Sequence, residues 1–371
     1  MQKTNTIVLS ITLALLGCSA VQDAGIAETL PSIAKSSWLG NFDSMGERGW
    51  PSARGVVTFR VAGAIGLALS PSGRFLAIKS RVRGRYALGL WSVVKRRRIW
   101  RRLTFGVPAS FGVSDCGQVA SVEYNPTGLY NAEPLIEGSS VVIVYSNAGK
   151  QIARIKHYAA LSYGVQFSAD NKCLFIGDSY SGNTKGQCVN MYHVHDWKQV
   201  RRFTGFEWGH VADIAISKDG SRVAAATIAG ESLEGELCIW RISTGSVEYS
   251  SREKSDIIAS EIQRPVSFLS DEHLLCGNHI LNIIKAGATP IISKVMNSPG
   301  KLIGGCSVGK RRYLIRMDKR DMRITRISTA GGSTPEVMLQ ISASPTYTSC
   351  ARTRCVVAFA ARKHVEVAYM P

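Results

Sequence analysis

One pattern recurs through this chain and constrains its fold more than composition does. It is an apolar alternating strand, a turn centred on serine, and a second apolar strand. The plainest copies are IGLALSPSGRFLAI (65–78), ASFGVSDCGQVASV (109–122), YGVQFSADNKCLFIGD (163–178) and VADIAISKDGSRVAAATI (211–228). Three further copies are RPVSFLSDEHLLCGN (264–278), LIGGCSVGKRRYLIRM (302–317) and PTYTSCARTRCVVAF (345–359). Their serines are Ser70, Ser114, Ser168, Ser217, Ser270, Ser307 and Ser349. They recur on average about every 46–47 residues, a spacing in the range of propeller blade repeats. A third strand follows in step: ALGLWSV (87–93), SVVIVYS (140–146), VNMYHV (189–194), ELCIWRI (236–242), LNIIKA (281–286), MRITRI (322–327) and HVEVAYM (364–370). Most copies continue into a fourth, more polar strand.

The bookkeeping leaves two loose pieces. The seventh copy stops after its third strand, and GVVTFRV (55–61) precedes the first copy unpaired. A ring in which the N-terminal strand completes the last blade uses both and removes an open sheet edge. Helical periodicity is absent. The expected fold is therefore all-β: a seven-bladed β-propeller over 55–371, closed by an N-terminal strand in the last blade.

The first residues point to the cell envelope. Lys3 precedes the apolar run 7–16, which is too short to span a bilayer and fits a secretory signal. Leu15-Leu16-Gly17-Cys18 resembles the bacterial lipobox. That resemblance implies a signal peptide over 1–17 and a mature chain beginning at a diacylglyceryl- and acyl-modified Cys18, since stable anchoring needs more than one chain. Ser19 at the following position favours the outer membrane. Residues 18–54 read as the lipidated cysteine and a tether. The other eight cysteines would lie where disulfides persist.

In the fourth copy, Gly209-His210 precedes the apolar strand and ELCIWRISTG ends at Trp240. This resembles the WD40 repeat: Gly-His, a strand, Ser-Pro-Asp-Gly, then an apolar-Trp-Asp ending. Arg241 stands where the Asp is expected, and Trp91 and Tyr192 hold the aromatic place in other copies. The resemblance covers 55–371 in spacing and is motif-specific in the fourth copy, and it implies the propeller fold.

Lys plus Arg exceeds Asp plus Glu to give a net charge of +18, which favours anionic partners. KRRRIWRRL (95–103) falls between the third strand of one copy and the first strand of the next, so it is the outermost strand of its blade. Strict alternation would put Arg97, Ile99, Arg101 and Leu103 on one face and Arg96, Arg98, Trp100 and Arg102 on the other. Charge on an outer strand blunts edge-to-edge pairing. It also offers Lys95, Arg96, Arg97, Arg98, Arg101 and Arg102, with Trp100 as an amphipathic contact, to lipid phosphates or an acidic partner. Lys198, Arg201 and Arg202 hold the equivalent place in the third copy. The long stretch EYNPTGLYNAEPLIEG (123–138) is a second candidate contact.

The chemistry-bearing patterns are weak. GGCSVGK (304–310) matches the spacing of a phosphate loop, but Arg311 replaces the Ser/Thr that would hold Mg²⁺, and the segment joins two strands. It reads as a turn. His193 and His195, on one strand face, lack a third ligand. Cys350 with Cys355 and Cys173 with Cys188 are candidate disulfides across hairpins. No catalytic residue, metal or cofactor is assigned. The function expected is a lipid-anchored, non-catalytic protein-binding scaffold whose partners are envelope proteins or anionic lipid or glycan, with nucleic acid excluded by location. The alternatives are a propeller enzyme with a channel-mouth site, lactonase-like or dehydrogenase-like, and a surface adhesin or glycan–lipid binder.

Overall fold

The computed structural model describes residues 55–104, 107–124, 140–157, 164–178, 188–206, 210–228, 235–251, 266–277, 279–283, 291–294, 301–308, 311–317, 321–327, 336–342, 347–351, 356–360 and 364–369. The chain divides into two compact units, Met1–Arg48 and Gly49–Pro371, and every described residue belongs to the second. Cys18, the signal and the tether therefore lie outside the described residues, as does most of 123–138.

Strand β1 (Gly55–Arg60) stands apart in sequence from its sheet. Sheet one is β2 (Ala64–Leu69), β3 (Phe75–Val82), β4 (Arg85–Ser92) and β5 (Arg97–Leu103). Sheet two is β6 (Val107–Val113), β7 (Val119–Tyr124), β8 (Ser140–Tyr145) and β9 (Gln151–His157). Sheet three is β10 (Val165–Phe167), β11 (Cys173–Gly177), β12 (Val189–His193) and β13 (Gln199–Phe203). Sheet four is β14 (His210–Ile216), β15 (Arg222–Ile228), β16 (Leu237–Arg241) and β17 (Val247–Ser250). Sheet five is β18 (Val266–Ser270), β19 (His273–Cys276), β20 (His279–Asn282) and β21 (Ile291–Lys294). Sheet six is β22 (Lys301–Val308), β23 (Arg311–Met317), β24 (Asp321–Ile327) and β25 (Glu336–Ser342). The last is β26 (Tyr347–Cys350), β27 (Val356–Ala360) and β28 (His364–Tyr369), and β1 pairs with β28 from Gly55↔Tyr369 to Arg60↔His364. Each sheet is antiparallel and four-stranded, and the all-β arrangement is compatible with a propeller.

The serine turns explain why the first four copies form alike. In each, a buried serine is followed at the third place by a residue in the left-handed region: Gly73, Gly117, Asn171 and Gly220. The turn holds three residues between Ser114 and Gln118 in the second copy and four in the others, Ser70 to Phe75, Ser168 to Cys173 and Ser217 to Arg222, with the left-handed residue third in each. The serine hydroxyl accepts from the next strand's first amides, as Ser168 does from the Cys173 N–H and Ser217 from the Arg222 N–H, both at 2.9 Å. Adjacent turns are tied together. Asp115 accepts from the Ser72 N–H at 2.9 Å, Asn171 from the Asp115 N–H at 2.7 Å, and Asp271 from the Asp219 N–H at 3.0 Å.

Copies six and seven depart from the expectation. Ser307 pairs with Arg312 and Ser349 with Ala358, so both serines lie within strands and not at the turn. Lys310 and Arg352 occupy the third place after them, where the turn would need Gly or Asn. The third strand of copy five also begins earlier than expected, at His279.

Cores form between sheets. Leu88, Leu90 and Trp100 of sheet one pack with Val113, Ile143 and Tyr145 of sheet two. Val142 and Val144 meet Phe167, Leu174 and Tyr192 of sheet three. Phe175 and Phe203 meet Ile214, Val223 and Trp240 of sheet four, and Tyr249 meets Phe268 and Leu274 of sheet five. Leu269 and Leu275 meet Leu314 of sheet six. Val57, Phe59 and Val367 of the last sheet meet Leu76, Ile78 and Trp91 of sheet one.

Candidate functional site

The outermost strands carry a repeated device. Five sheets have a register shift between the third and fourth strands, so that one residue of the outer strand is left unpaired. In sheet one Leu90 pairs with Trp100 and Trp91 with Arg98, leaving Ile99 as the extra residue. The same step leaves out Ile152 in sheet two, Val200 in sheet three and Glu248 in sheet four. The residue beside the shift is aromatic in these four sheets: Trp91, Tyr145, Tyr192 and Trp240. A bulge re-aims the side chain it carries, and Ile99, Ile152 and Val200 are exposed at 39%, 42% and 42%.

The bulge corrects the expected alternation of KRRRIWRRL. Opposed residues share a face, so Arg97, Trp100 and Arg102 lie with Leu90 toward sheet two, and Arg98, Arg101 and Leu103 lie on the other side. Trp100 is not a surface contact. It is 8% exposed, stands 5.7 Å from the Tyr145 ring, and sits so close over Gly149 that an added Cβ there would meet its Cγ at 2.8 Å. The inner side of an outer strand packs on the next sheet, and a large apolar ring is what fills that space.

Two of the arginines are also structural. Arg102 donates to the Gly149 carbonyl and stacks over Tyr145, and Arg101 donates to Ser80 Oγ at 2.9 Å. Lys95, Arg96, Arg97 and Arg98 are the exposed or nearly exposed remainder. Arg96 occupies the left-handed region at φ 52° in the turn into β5, where its N–H donates to the Val93 carbonyl. Among the described residues these four side chains have no carboxylate partner.

A wider signal surrounds them that the local run concealed. From Arg48 to Ser114 the sequence contains no acidic residue. Sheet one thus gathers Arg74, Lys79, Arg81, Arg83, Arg85 and the 95–102 group without a single carboxylate. The β3–β4 hairpin turns at Arg83 and Gly84, both left-handed, and exposes Arg81, Arg83 and Arg85. The Tyr86 ring lies 5.3 Å from Lys79 Nζ and 5.7 Å from the Arg81 guanidinium. Burial holds the Lys79 amine below its usual range. Noting where acids are missing, and not only where bases cluster, would have found this hairpin.

Sheet four is the opposite case. Glu248, at the same bulge, accepts from Arg222 Nε at 2.6 Å and Arg241 Nε at 2.7 Å. Burial raises its carboxyl, but those two hydrogen bonds and charges outweigh it and hold the group below the usual Glu value. Arg241, standing where the WD40 pattern has Asp, is thus part of a clamp. Trp240 is fully buried and donates Nε1–H to the Thr204 carbonyl at 2.8 Å. Gly209 of the Gly-His pair lies outside the described residues.

The Cys173–Cys188 pairing is overturned. Cys173 is paired with His193, both thiols are free, and Cys188 lies beside Asp178. The hairpin register follows the packing of Leu174 and Tyr192, not a loop centred at 180–181. Cys188 Sγ is within 3.7 Å of Asp178, 3.6 Å of Asn190 and 2.9 Å of Arg202 Nε. Burial, then Asp178, push its pKa up to about 12 against the opposing pull of Arg202. A thiol so held is protonated at neutral pH and is a poor nucleophile. Cys355, needed for the second candidate disulfide, lies outside the described residues.

His195 is in the turn after β12, not on the strand with His193, so the two imidazoles do not share a strand face. Among the described residues no group of three His, Cys, Asp or Glu side chains could hold a metal. The phosphate-loop spacing falls on a hairpin, with Val308 paired to Arg311. The buried Glu123 accepts from the Tyr145 hydroxyl at 3.1 Å, and burial followed by that carboxylate raises the phenol's pKa.

No family model matches the chain, and no curated protein matches it. Among solved structures it is similar to Kuenenia stuttgartiensis Hydrazine Synthase, at 14% identity and a TM-score of 0.60 over 85% of this chain and 97% of that chain. At that identity the likeness is one of fold. In all, 1266 solved chains match, so the architecture does not choose an activity.

Proposed function

We propose that this protein is a lipid-anchored, seven-bladed β-propeller that acts as a non-catalytic protein-binding scaffold at the bacterial cell envelope, on the outer membrane. The lipobox-like Leu15–Cys18 supports the anchor at Cys18. The pairing of β1 with β28, and the packing of each sheet on the next and of the last on the first, support a closed ring of seven blades. A closed ring leaves no blade incomplete and holds its outer strands in fixed places, which lowers the ordering cost of association.

The observation that carries the binding role is the edge of sheet one, where Lys95 and Arg96 in the turn and Arg97 and Arg98 at the start of β5 have no carboxylate partner among the described residues. By contrast, the carboxylates of Glu123 and Glu248 are spent internally, the first on the Tyr145 hydroxyl and the second on Arg222 and Arg241. Cross-linking in intact cells, with the 95–98 side chains neutralised in a parallel strain, tests this reading. A defined set of envelope proteins that disappears with neutralisation is expected. Recovery of no protein partner in either strain overturns the scaffold.

A further inference from the structure

The exposed edge of sheet one combines two chemistries that a purely electrostatic contact would not need together. Arg96, Arg97 and Arg98 lead into Ile99, which the bulge turns outward at 39% exposure, and Leu103 at the far end of the strand is 49% exposed. The neighbouring edge continues the theme. Arg102 and Trp100 seat against Gly149, and just beyond that turn β9 exposes Ile152 at 42%, followed by Arg154. Neither β5 nor β9 contains an acidic residue. Guanidinium groups match phosphate oxygens bidentately, and isolated aliphatic side chains between them suit the layer where headgroups meet acyl chains.

We propose that the outer edge of sheet one, extended by Ile152 and Arg154, docks on the phosphates of an anionic phospholipid surface, with Ile99 and Leu103 entering the interface. It deepens the envelope reading, on which it rests for access to such a surface. This contact would be the second membrane signal beside the acyl chains, in the way a polybasic patch complements a lipid. Isolated aliphatic side chains set among arginines suit the boundary between headgroups and acyl chains, so the occupant proposed for this edge is the bilayer. Polyglutamate binding without vesicle binding would instead assign it to an acidic protein.

The test uses the chain from Ser19 onward, so that neither an acyl chain nor the apolar run 7–16 contributes, and measures co-sedimentation with vesicles. Binding to phosphatidylcholine–phosphatidylglycerol vesicles and not to phosphatidylcholine alone is expected, weakening as salt rises. Arg96→Glu, Arg97→Glu and Arg98→Glu together should weaken it at least about tenfold. Ile99→Ser with Leu103→Ser should weaken vesicle binding several-fold while leaving binding to soluble polyglutamate unchanged. The charge-matched control, Arg60→Glu, Lys172→Glu and Lys218→Glu, all exposed and outside sheets one and two, should lose much less. The proposal is overturned by indifference to phosphatidylglycerol, by an equal loss in the control, or by polyglutamate binding without vesicle binding. Those results leave the cross-linking test of the scaffold standing, and failure of cross-linking leaves this one standing.

Discussion

Sheets one and four build the same edge and use it differently. Each has a buried aromatic residue on the outer strand, Trp100 or Tyr249, opposite an aliphatic of the third strand, Leu90 or Ile239. Each then steps its register past a tryptophan, Trp91 or Trp240, and leaves one residue of the outer strand unpaired. In sheet four that residue is Glu248, only 16% exposed and clamped by Arg222 and Arg241, so both guanidiniums are answered by a carboxylate of the same sheet. In sheet one it is Ile99, preceded by arginines that no carboxylate among the described residues answers. The scaffold is thus indifferent to what the bulge displays. A closed ion-pair network spends its charge on the fold, and an unanswered row of cations keeps its charge available to a partner.

The largest effect should come from the part the two edges share. Trp100→Ala should cost about 3–5 kcal/mol, as emptying a buried aromatic site does, read as a shift in denaturant midpoint. Tyr249→Ala should behave in the same class. A loss below about 1 kcal/mol for Trp100→Ala would return that residue to the surface. The next effect should separate the edges. Glu248→Ala should cost about 1–3 kcal/mol, because it strands the largely buried Arg222, whereas Ile99→Ala should stay within about 0.5 kcal/mol.

The same difference has a pH signature. The folded Glu248 pKa is depressed, so its contribution is fully present above the ordinary unfolded Glu value and is lost as pH falls through the lower folded one. Glu248→Gln should flatten that acid-side decline in a stability–pH series. No matching change is expected for Arg97→Gln. Reversing Arg96, Arg97 and Arg98 to Glu should leave stability within about 0.5 kcal/mol while removing the bound partner. The smallest effect concerns Cys188, which should resist alkylation in the folded chain at neutral pH and react once denatured. Rapid native labelling at that residue, mapped by peptide, would contradict its burial beside Asp178.

Much of the fold was legible because its turns are written in the sequence. Ser70, Ser114, Ser168 and Ser217 each have Gly or Asn three places on, and there the left-handed position forces the hairpin. Where Lys310 and Arg352 stand instead, the serine slid into a strand and the register was misread. The Cys173–Cys188 error has the same root, since no local residue fixes that hairpin and the packing of Leu174 and Tyr192 decides it. At the edge, strict alternation failed because a bulge is invisible to period-two reasoning. Trp100 and Ile99 consequently exchanged the roles the pattern assigns them. The exposed arginines themselves could be read directly, but the acid-free span around them was masked by the density of the run at 95–102.

Hydrogen exchange on the chain as purified from cells, mixed with anionic or with zwitterionic vesicles, tests the central claim most directly. The account predicts that peptides covering 95–103 and 150–154 become protected only on anionic vesicles, while those covering 241–250 exchange alike on both. Equal protection of the two edges, or protection of 241–250 without 95–103, would contradict it.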